Sequence, residues 1–403
     1  MKNNTELRPI VTTYKAYTMV IVRGNKHKNS PNTRTAFILL SIGCLSGVIL
    51  TLMTASLTCH NISSSEDNGH KNLRSIEMPQ EGPIVNPGTG AIKSDEMLEN
   101  DDNGRKDPIA VDDVIKFFNK FLSSLHIIFQ DHHKTEYDGV WKIYHDYALK
   151  SLYPWDREYM QRMPERRKDG SVFLSIVTYR DENCMNTLKW AYEKAKHPDL
   201  INIGLVQQNC VENCRSGVID AHLHTEAAPP DDDCHKIFCE SDIGREHCAA
   251  GRVRALHINE EESLGPYAAR YFGSKLWNGE EWYMQLDAHM TFLQDWDAIS
   301  IEMLNKAPSE KPVMSHYPPH HTEDLESLKK EGKVNRLCGA YFADSGLEDQ
   351  IIRLGGPGGD AEGPYSEYPR FAPYTAAGYF VAPSTFLKEV PFDPFLPWIF
   401  VSI

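Results

Sequence analysis

The chain has 403 residues and a formal net charge of −14 at pH 7. This length suits two ordinary domains, or one large domain with accessory segments. With 41% hydrophobic and 24% charged residues, the composition excludes a wholly disordered protein. The acidic balance argues against a general nucleic-acid binder. We therefore expect a packed core and no nucleic-acid partner.

The net charge is unevenly distributed along the chain. Residues 1–34 carry seven Lys or Arg and one Glu, whereas residues 35–59 carry no charge. Residues 60–113 carry twelve Asp or Glu against five Lys or Arg. The net charge of −14 is therefore a sum over basic, uncharged and acidic zones, and it describes none of them.

The uncharged zone has the properties of a membrane anchor. Residues 36–57 read AFILLSIGCLSGVILTLMTASL, and as a helix they would span roughly 33 Å, enough to cross a bilayer core. A cleaved signal peptide would be shorter and would begin nearer the N-terminus. Because basic residues precede the run and Glu66 and Asp67 follow it, residues 1–35 are predicted to be a cytosolic tail. We expect a single-pass type II membrane protein.

Two further segments precede the main domain. Residues 58–108 are rich in Ser, Asn, Gly, Pro and acidic residues, as in a solvated lumenal stem, and Asn61 lies in a glycosylation sequon. Residues 109–170 form a helical lead-in. From Val114 to Phe129 apolar residues recur at helical spacing after Asp112 and Asp113, a plausible cap. Such a helix packs on the domain or self-associates; one stripe this short favours packing.

The segment 171–403 alternates apolar runs with helical segments. Strands are predicted at Val172–Arg180, Leu200–Asn209, Val253–Ile258 and Glu281–Met290, and helices from Asp181 to about His197 and from Gly265 to about Trp277. This alternation predicts an α/β domain with a mixed, mostly parallel sheet. Since ligands bind at the carboxyl ends of such strands, we expect a site where the first and fourth strands end.

Seven cysteines fall in this domain: Cys184, Cys210, Cys214, Cys234, Cys239, Cys248 and Cys338. The crowding of five between residues 210 and 248, near His222, His224, His235 and His247, allows a zinc site. The predicted oxidising compartment favours disulfides instead, without fixing their connectivity. Because seven is odd, one thiol is expected to be free or to pair elsewhere, for example with Cys59.

The triplet Asp287-Ala288-His289 follows the apolar run YMQL. In an extended strand, alternation places Asp287 and His289 on the same side, where both can face one ion. A carboxylate and an imidazole suit a divalent metal such as Mn2+. On its own, however, this triplet is common by chance and equally describes a surface Asp and His.

Four segments carry a resemblance to a known family. They are FLSIVTYRDENC, ARYFGSKLWNGEEWYMQLDAHMTFLQDWD, KPVMSHYPP and AAGYFVAPSTFLKEVPFDPFLP. From Val172 to about Phe400 the chain resembles the eukaryotic and bacterial polypeptide α-N-acetylglucosaminyltransferases. That family includes trypanosome Golgi enzymes that begin mucin-type glycans and a slime-mould enzyme that modifies hydroxyproline.

The resemblance implies a GT-A nucleotide-sugar fold and a retaining transfer of GlcNAc from UDP-GlcNAc to Ser, Thr or hydroxyproline. It implies that Asp287 and His289 hold Mn2+ or another divalent cation. Candidate donor-binding residues are Thr178, Tyr179, Arg180, Asp181, Arg254 and Arg270; the two last-named arginines would equally suit salt bridges with residues 260–262. Candidate sugar-pocket residues are Trp296 and Asp297, although Trp296 would equally suit the core.

The resemblance also predicts a Golgi membrane location and an acceptor polypeptide, Thr-rich and mucin-like. Members of the family continue after F-L-P-x-x-F with a Gly-Glu-Glu motif and a late His, whereas only Val401, Ser402 and Ile403 follow here. The alternative expectation is therefore a truncated, inactive copy that binds only UDP-sugar or glycoprotein. A surface adhesion protein is a further alternative, because a stem and disulfides suffice for it.

Overall fold

The computed structural model of the protein describes residues 107–132, 137–215, 227–316 and 375–399, with short pieces between 318 and 369. The predicted tail, membrane span, most of the stem and the Asn61 sequon lie outside these ranges, as does Cys338. No helix within the described ranges has the length and apolar character needed to cross a membrane. The predicted anchor at 36–57 thus stays a prediction.

A six-stranded, mostly parallel sheet organises the described chain, as the sequence predicted. Its strands are β1 (Val172–Tyr179), β2 (Ile201–Asn209), β3 (Val253–Asn259), β4 (Trp282–Asp287), β5 (Met314–Ser315) and β10 (Tyr379–Pro383), in the order β3-β2-β1-β4-β10-β5. The first four run parallel, and β10 is antiparallel to both of its neighbours. Four short strands form two separate ribbons: β6 (Arg336–Leu337) with β9 (Pro357–Gly358), and β7 (Ala340–Phe342) with β8 (Ile352–Leu354).

Helices connect and cover the strands. They are α1 (Val111–Asp131), α2 (Tyr137–Lys150), α3 (Leu152–Gln161), α4 (Cys184–Glu193), α5 (Cys234–Glu240), α6 (Asp242–Ala249), α7 (Gly265–Ser274), α8 (Trp296–Asn305) and α9 (Phe386–Glu389). Short 3-10 turns occupy Pro198–Leu200 and Glu260–Glu262. The helices are shorter than predicted, since α4 ends at Glu193 rather than near His197, and α7 ends at Ser274 rather than near Trp277.

Side chains of β1 alternate between two cores, one on each face of the sheet. Leu174 and Ile176 join α4, α5 and α8 on one face, whereas Phe173 joins α1, α3 and α7 on the other. Both faces are covered, which explains why the strands read as continuous apolar runs. At Gly204 in β2, a Cβ atom would lie 2.3 Å from the Phe173 ring, so only glycine fits beside it.

The amphipathic helix α1 packs on the domain, which confirms the interpretation that the sequence favoured. Phe118 is fully buried, with its ring 4.7 Å from that of Phe272 on α7 and 4.9 Å from that of Trp155 on α3. The predicted cap is different: Asp112 and Asp113 lie in the first turn, and Ala110 is the N-cap residue. Helices α1, α2 and α3 therefore contribute side chains to the same core as one face of the sheet.

A buried ion pair joins this helical layer to α7. Lys275, only 3% exposed, places its ammonium 2.7 Å from Asp156 Oδ1 on α3, and the Tyr271 hydroxyl donates to the same oxygen at 2.8 Å. Burial lowers the pKa of Lys275 despite this carboxylate. Losing either partner would leave a buried charge unpaired, which costs about 3–5 kcal/mol.

Six cysteines pair as disulfides: Cys184–Cys234, Cys210–Cys214 and Cys239–Cys248. The prediction of disulfides over a cysteine zinc site is thereby confirmed. The first pair ties α4 to α5, and the other two close short loops within the segment that links β2 to β3. These cross-links hold a polar insertion against the sheet.

Candidate active site

Polar side chains gather at the carboxyl edge of the sheet, between β1 and β4. The chain goes from β1 outward to β2 and β3 on one side, and then returns to β4 on the other side of β1. Loops therefore diverge above β1 and β4, and this divergence forms the crevice in which open α/β sheets bind ligands. Asp181 follows β1, Asp287 ends β4 and His289 follows it.

Asp181 and His289 form a close pair across this crevice. His289 Nδ1 lies 2.6 Å from Asp181 Oδ2, and Asp181 Oδ1 accepts the Asn183 backbone N–H at 2.8 Å. Burial on its own raises the pKa of Asp181, but the hydrogen bonds from His289 and Asn183 outweigh it and hold that pKa below its ordinary value. An ionised carboxylate on Nδ1 fixes the ring's orientation, as partners of metal-binding histidines do.

Thr187 on α4 fixes the backbone on either side of His289. Its hydroxyl donates to Ala288 O at 2.7 Å and accepts the Met290 N–H at 2.8 Å. Thr187 is fully buried, and Ala288 and Met290 are nearly so. Thr187 on α4 therefore holds the backbone that carries the His289 imidazole, and Asp181 holds the ring itself.

The Asp287 carboxylate is held from a different direction. Arg270 on α7, itself buried, donates from Nη2 to Asp287 Oδ1 at 3.1 Å. The backbone N–H of Asp287 donates to Gly378 O at 3.3 Å, and a Cβ atom on Gly378 would lie 2.8 Å from Asp287 Oδ2. Glycine at position 378 thus leaves the room that this carboxylate occupies.

The prediction that strand alternation places Asp287 and His289 on one side is wrong. Strand β4 ends at Asp287 instead of continuing to Met290, so strand alternation does not relate the two side chains. Within the described residues, neither belongs to a group of three Asp, Glu, His or Cys side chains close enough to share an ion. The residue types nevertheless suit a divalent cation, because a carboxylate ends β4 and an imidazole that a second carboxylate orients follows two residues later.

Arg180 does not face the crevice with its charge. Its backbone has φ of +50°, and its guanidinium donates to Asp231 at 2.8 and 3.3 Å, to Glu260 at 2.7 Å and to Arg215 O at 2.8 Å. The side chain of Arg180 is 13% exposed. Arg180 therefore connects Asp231, in the segment between β2 and β3, to Glu260 in the turn after β3. Its predicted role in binding the nucleotide donor stays a prediction.

The two residues before Arg180 differ in exposure. Tyr179 ends β1 with 56% of its surface exposed at the edge of the crevice. Thr178 is buried, and its hydroxyl has no hydrogen-bond partner among the described residues. Gln208 fixes the end of β1 through two hydrogen bonds. Its side-chain amide donates to Thr178 O at 3.1 Å, and its backbone carbonyl accepts the Arg180 N–H at 3.0 Å.

Arg254 lies apart from this edge. Its guanidinium donates to Leu276 O at 2.8 Å, pairs with Glu280 and lies 5.2 Å from the Phe173 ring, towards the amino ends of the strands. Its salt bridge is therefore with Glu280, not with the predicted 260–262 run, and Arg270 pairs with Asp287. The Arg254 side chain is thus engaged near the amino ends of the strands, away from the carboxyl edge of β1 and β4.

Trp296 and Asp297 are structural residues in the described chain. Trp296 is fully buried and donates from its indole to Ala191 O at 2.9 Å. Asp297 is 4% exposed and accepts the backbone N–H groups of Lys196 and His197 at 2.7 and 2.9 Å. Both fasten the start of α8 to the end of α4, which agrees with the core interpretation of Trp296. Their place in a sugar pocket stays a prediction.

A family comparison agrees with this architecture. Residues 171–402 match the family model described as Glycosyltransferase (GlcNAc), which covers more than half of the chain. The chain therefore belongs to the GlcNAc glycosyltransferase family. A search of curated proteins found no match.

Several partners in the site were missed by the sequence analysis. Thr187, Gly378, Asp231 and Glu260 each hold a predicted residue in place, yet none had been singled out for that role. The only signals were weak: a run of three aspartates at 231–233, and the glycine just before β10.

Proposed function

We propose that the protein transfers GlcNAc from UDP-GlcNAc to a Ser, Thr or hydroxyproline hydroxyl of an acceptor polypeptide, with retention at the anomeric carbon. The acceptor is Thr-rich and mucin-like, and the reaction takes place in the Golgi lumen on a chain anchored through residues 36–57. Membership of the GlcNAc glycosyltransferase family supports the donor sugar. The observation that carries the proposal is the pair of contacts Asp181–His289 and Asp287–Arg270 at the β1–β4 edge.

In this proposal Asp287 and His289 would hold Mn2+ or a similar divalent cation beside the UDP diphosphate. The bound metal would supply Lewis-acid stabilisation of the negative charge on the departing UDP. Asp181 keeps the His289 ring oriented. Arg270 holds the Asp287 carboxylate in position and adds a positive charge near the diphosphate.

The end of β1 is proposed to bind the nucleoside. The exposed Tyr179 ring offers a face for the uracil, and the buried Thr178 hydroxyl and the Asp181 backbone border the ribose. Arg180 supports this strand end through Asp231 and Glu260. The acceptor proton passes to the departing phosphate oxygen, so no side chain of the chain is assigned as a general base.

The test is a transfer assay with the full-length, detergent-solubilised chain, radiolabelled UDP-GlcNAc, Mn2+ and a Thr-rich peptide. We expect label on the peptide, its loss on chelation, and at least a roughly hundredfold decrease for Asp287→Asn. Asp113→Asn, a matched exposed change on α1, should retain activity. No transfer with any hydroxyl acceptor would contradict the proposal; metal-dependent UDP binding without transfer would identify the inactive binding protein instead.

A further inference from the structure

A second cluster of metal-binding side chains lies two strands away from β1. His257 is on the outer strand β3, and Asp233 and His235 are at the start of α5. One ligand atom from each of the three lies within 4.8 Å of the others. His257 is exposed and the other two are half-buried, so an ion can reach the cluster from solvent.

The spacing of the two imidazoles fits a tetrahedral ion. His257 Nε2 lies 3.3 Å from His235 Nδ1. Two nitrogens at about 2.0–2.1 Å from Zn2+, separated by a tetrahedral angle, lie about 3.3 Å from each other. The rings therefore already have the separation that a shared zinc ion requires.

The residues around the cluster add a third ligand and a supporting amide. Asp233 Oδ1 accepts from Gln207 Nε2 and from the Lys236 N–H, both at 3.0 Å, which holds its carboxylate beside the rings. The Gln207 amide also lies 3.3 Å from His257 Nδ1. Binding through Nε2 puts a proton on Nδ1, so the amide must turn its oxygen to that atom and give up its hydrogen bonds with Asp233 Oδ1 and with the His235 N–H. The Lys236 N–H then still holds Asp233 Oδ1.

An alternative ligand set around His235 is closed in the oxidised protein. Cys239 and Cys248 also lie within reach of His235, but they form a disulfide and offer no thiolate. The ligands that remain are one carboxylate and two imidazoles, a set that suits zinc and related divalent transition metals.

We infer that Asp233, His235 and His257 bind a divalent transition metal such as Zn2+, with water as the fourth ligand. The ion would join the start of α5 to β3 and so pin the disulfide-linked insertion to the sheet. This site shares no residue with the proposed donor site.

The test measures zinc uptake by the untagged full chain carrying Asp287→Asn, so that the donor site does not contribute. After removal of metal, Zn2+ affinity is measured by competition with a chromophoric chelator. We expect one Zn2+ per chain, and at least a tenfold loss of affinity when His257→Gln or His235→Gln is added. His197→Gln, an exposed histidine elsewhere, is the matched control and should bind as the parent does.

X-ray absorption at the zinc edge provides a second readout that does not depend on variant folding. Two nitrogen ligands at about 2.0–2.1 Å with oxygen ligands would support the assignment. Failure of the parent to take up zinc, or unchanged affinity in both histidine variants with circular dichroism unaltered, would overturn it.

Discussion

Two consecutive residues of opposite charge diverge at the end of β1. Arg180 turns to Asp231 and Glu260, and Asp181 turns to His289. The left-handed backbone at Arg180 permits this divergence, an uncommon conformation for a residue other than glycine. One of these residues therefore supports the loops around the site, whereas the other supports a proposed metal ligand.

Replacing Asp181 by Asn should weaken metal use without unfolding the protein. The amide keeps the size of the side chain but removes the negative charge that orients His289. We expect a roughly ten- to hundredfold higher Mn2+ requirement in transfer or UDP binding. Asp113→Asn is the control, and an unchanged Mn2+ titration for Asp181→Asn would contradict the positioning role.

Gly378→Ala should disturb Asp287 directly. The added Cβ would lie 2.8 Å from Asp287 Oδ2, so either the carboxylate or β10 must move. We expect transfer activity to fall at least about tenfold, since sites are sensitive to shifts of about an ångström. Gly251→Ala meets no atom within 4 Å but has φ of +69°, so it should lower the melting temperature while sparing activity. Equal activity loss in both variants would point to general destabilisation.

At the scale of single residues, the sequence indicated which types of residue form the site better than it indicated their hydrogen-bonding partners. Asp287 and His289 stood out because an apolar strand preceded them. The partner of His289 is 108 positions away, and that of Arg180 is 51 positions away, so neither contact is visible in local patterns. The burial of Trp296 and Asp297 was not predictable either, because the burial of a side chain cannot be read from its neighbours in sequence.

Among the elements, the insertion between β2 and β3 depends on a few long-range contacts. Arg180, the Cys184–Cys234 disulfide and the Asp233–Gln207 hydrogen bond connect it to the sheet. Arg180 is the contact that also reaches the turn after β3, through Glu260.

Arg180→Lys should loosen this insertion, since an ammonium cannot reproduce the forked contacts to Asp231 and Glu260. Each charged hydrogen bond lost costs about 1.5–3 kcal/mol. We expect faster backbone hydrogen exchange at residues 210–215 and 227–233, a melting temperature several degrees lower, and reduced UDP affinity. Lys189→Arg on the surface of α4 is a control for altering a basic side chain. If only UDP affinity changes, Arg180 contacts the donor rather than the insertion.

The strands were the best-predicted elements and the helix ends the worst. Continuous apolar runs identified β1 to β4 because both faces of the sheet are buried. The predicted C-terminal ends of α4, α7 and β4 lie beyond the observed ones. Where these elements end depends on tertiary contacts such as that of Thr187 with Ala288, not on a local stop signal.

For the whole molecule, the buried tyrosines make stability sensitive to alkali. Burial raises the pKa of Tyr144, Tyr159, Tyr192, Tyr271, Tyr283 and Tyr379 above the ordinary value of 10.0. An unfolded chain ionises these groups near that value, whereas the folded chain does not. Their contribution to stability is therefore complete below about pH 10 and is lost as the pH rises towards the folded pKa values.

We expect the free energy of unfolding to fall above pH 10, with tyrosinate absorbance from the buried rings appearing together with loss of circular dichroism. Returning the sample to pH 8 checks that the change is reversible. Full tyrosine ionisation in a chain that keeps its circular dichroism would show that the six rings are accessible.

The most direct test of the whole account is calorimetric binding of UDP with and without Mn2+, because it does not require the acceptor. We expect UDP binding to depend on Mn2+ in the parent chain. We expect UDP affinity to fall at least about tenfold in Asp287→Asn and in His289→Ala, and to stay unchanged in Asp113→Asn. UDP binding that is absent in the parent, or insensitive to Mn2+ and to both substitutions, would contradict the account.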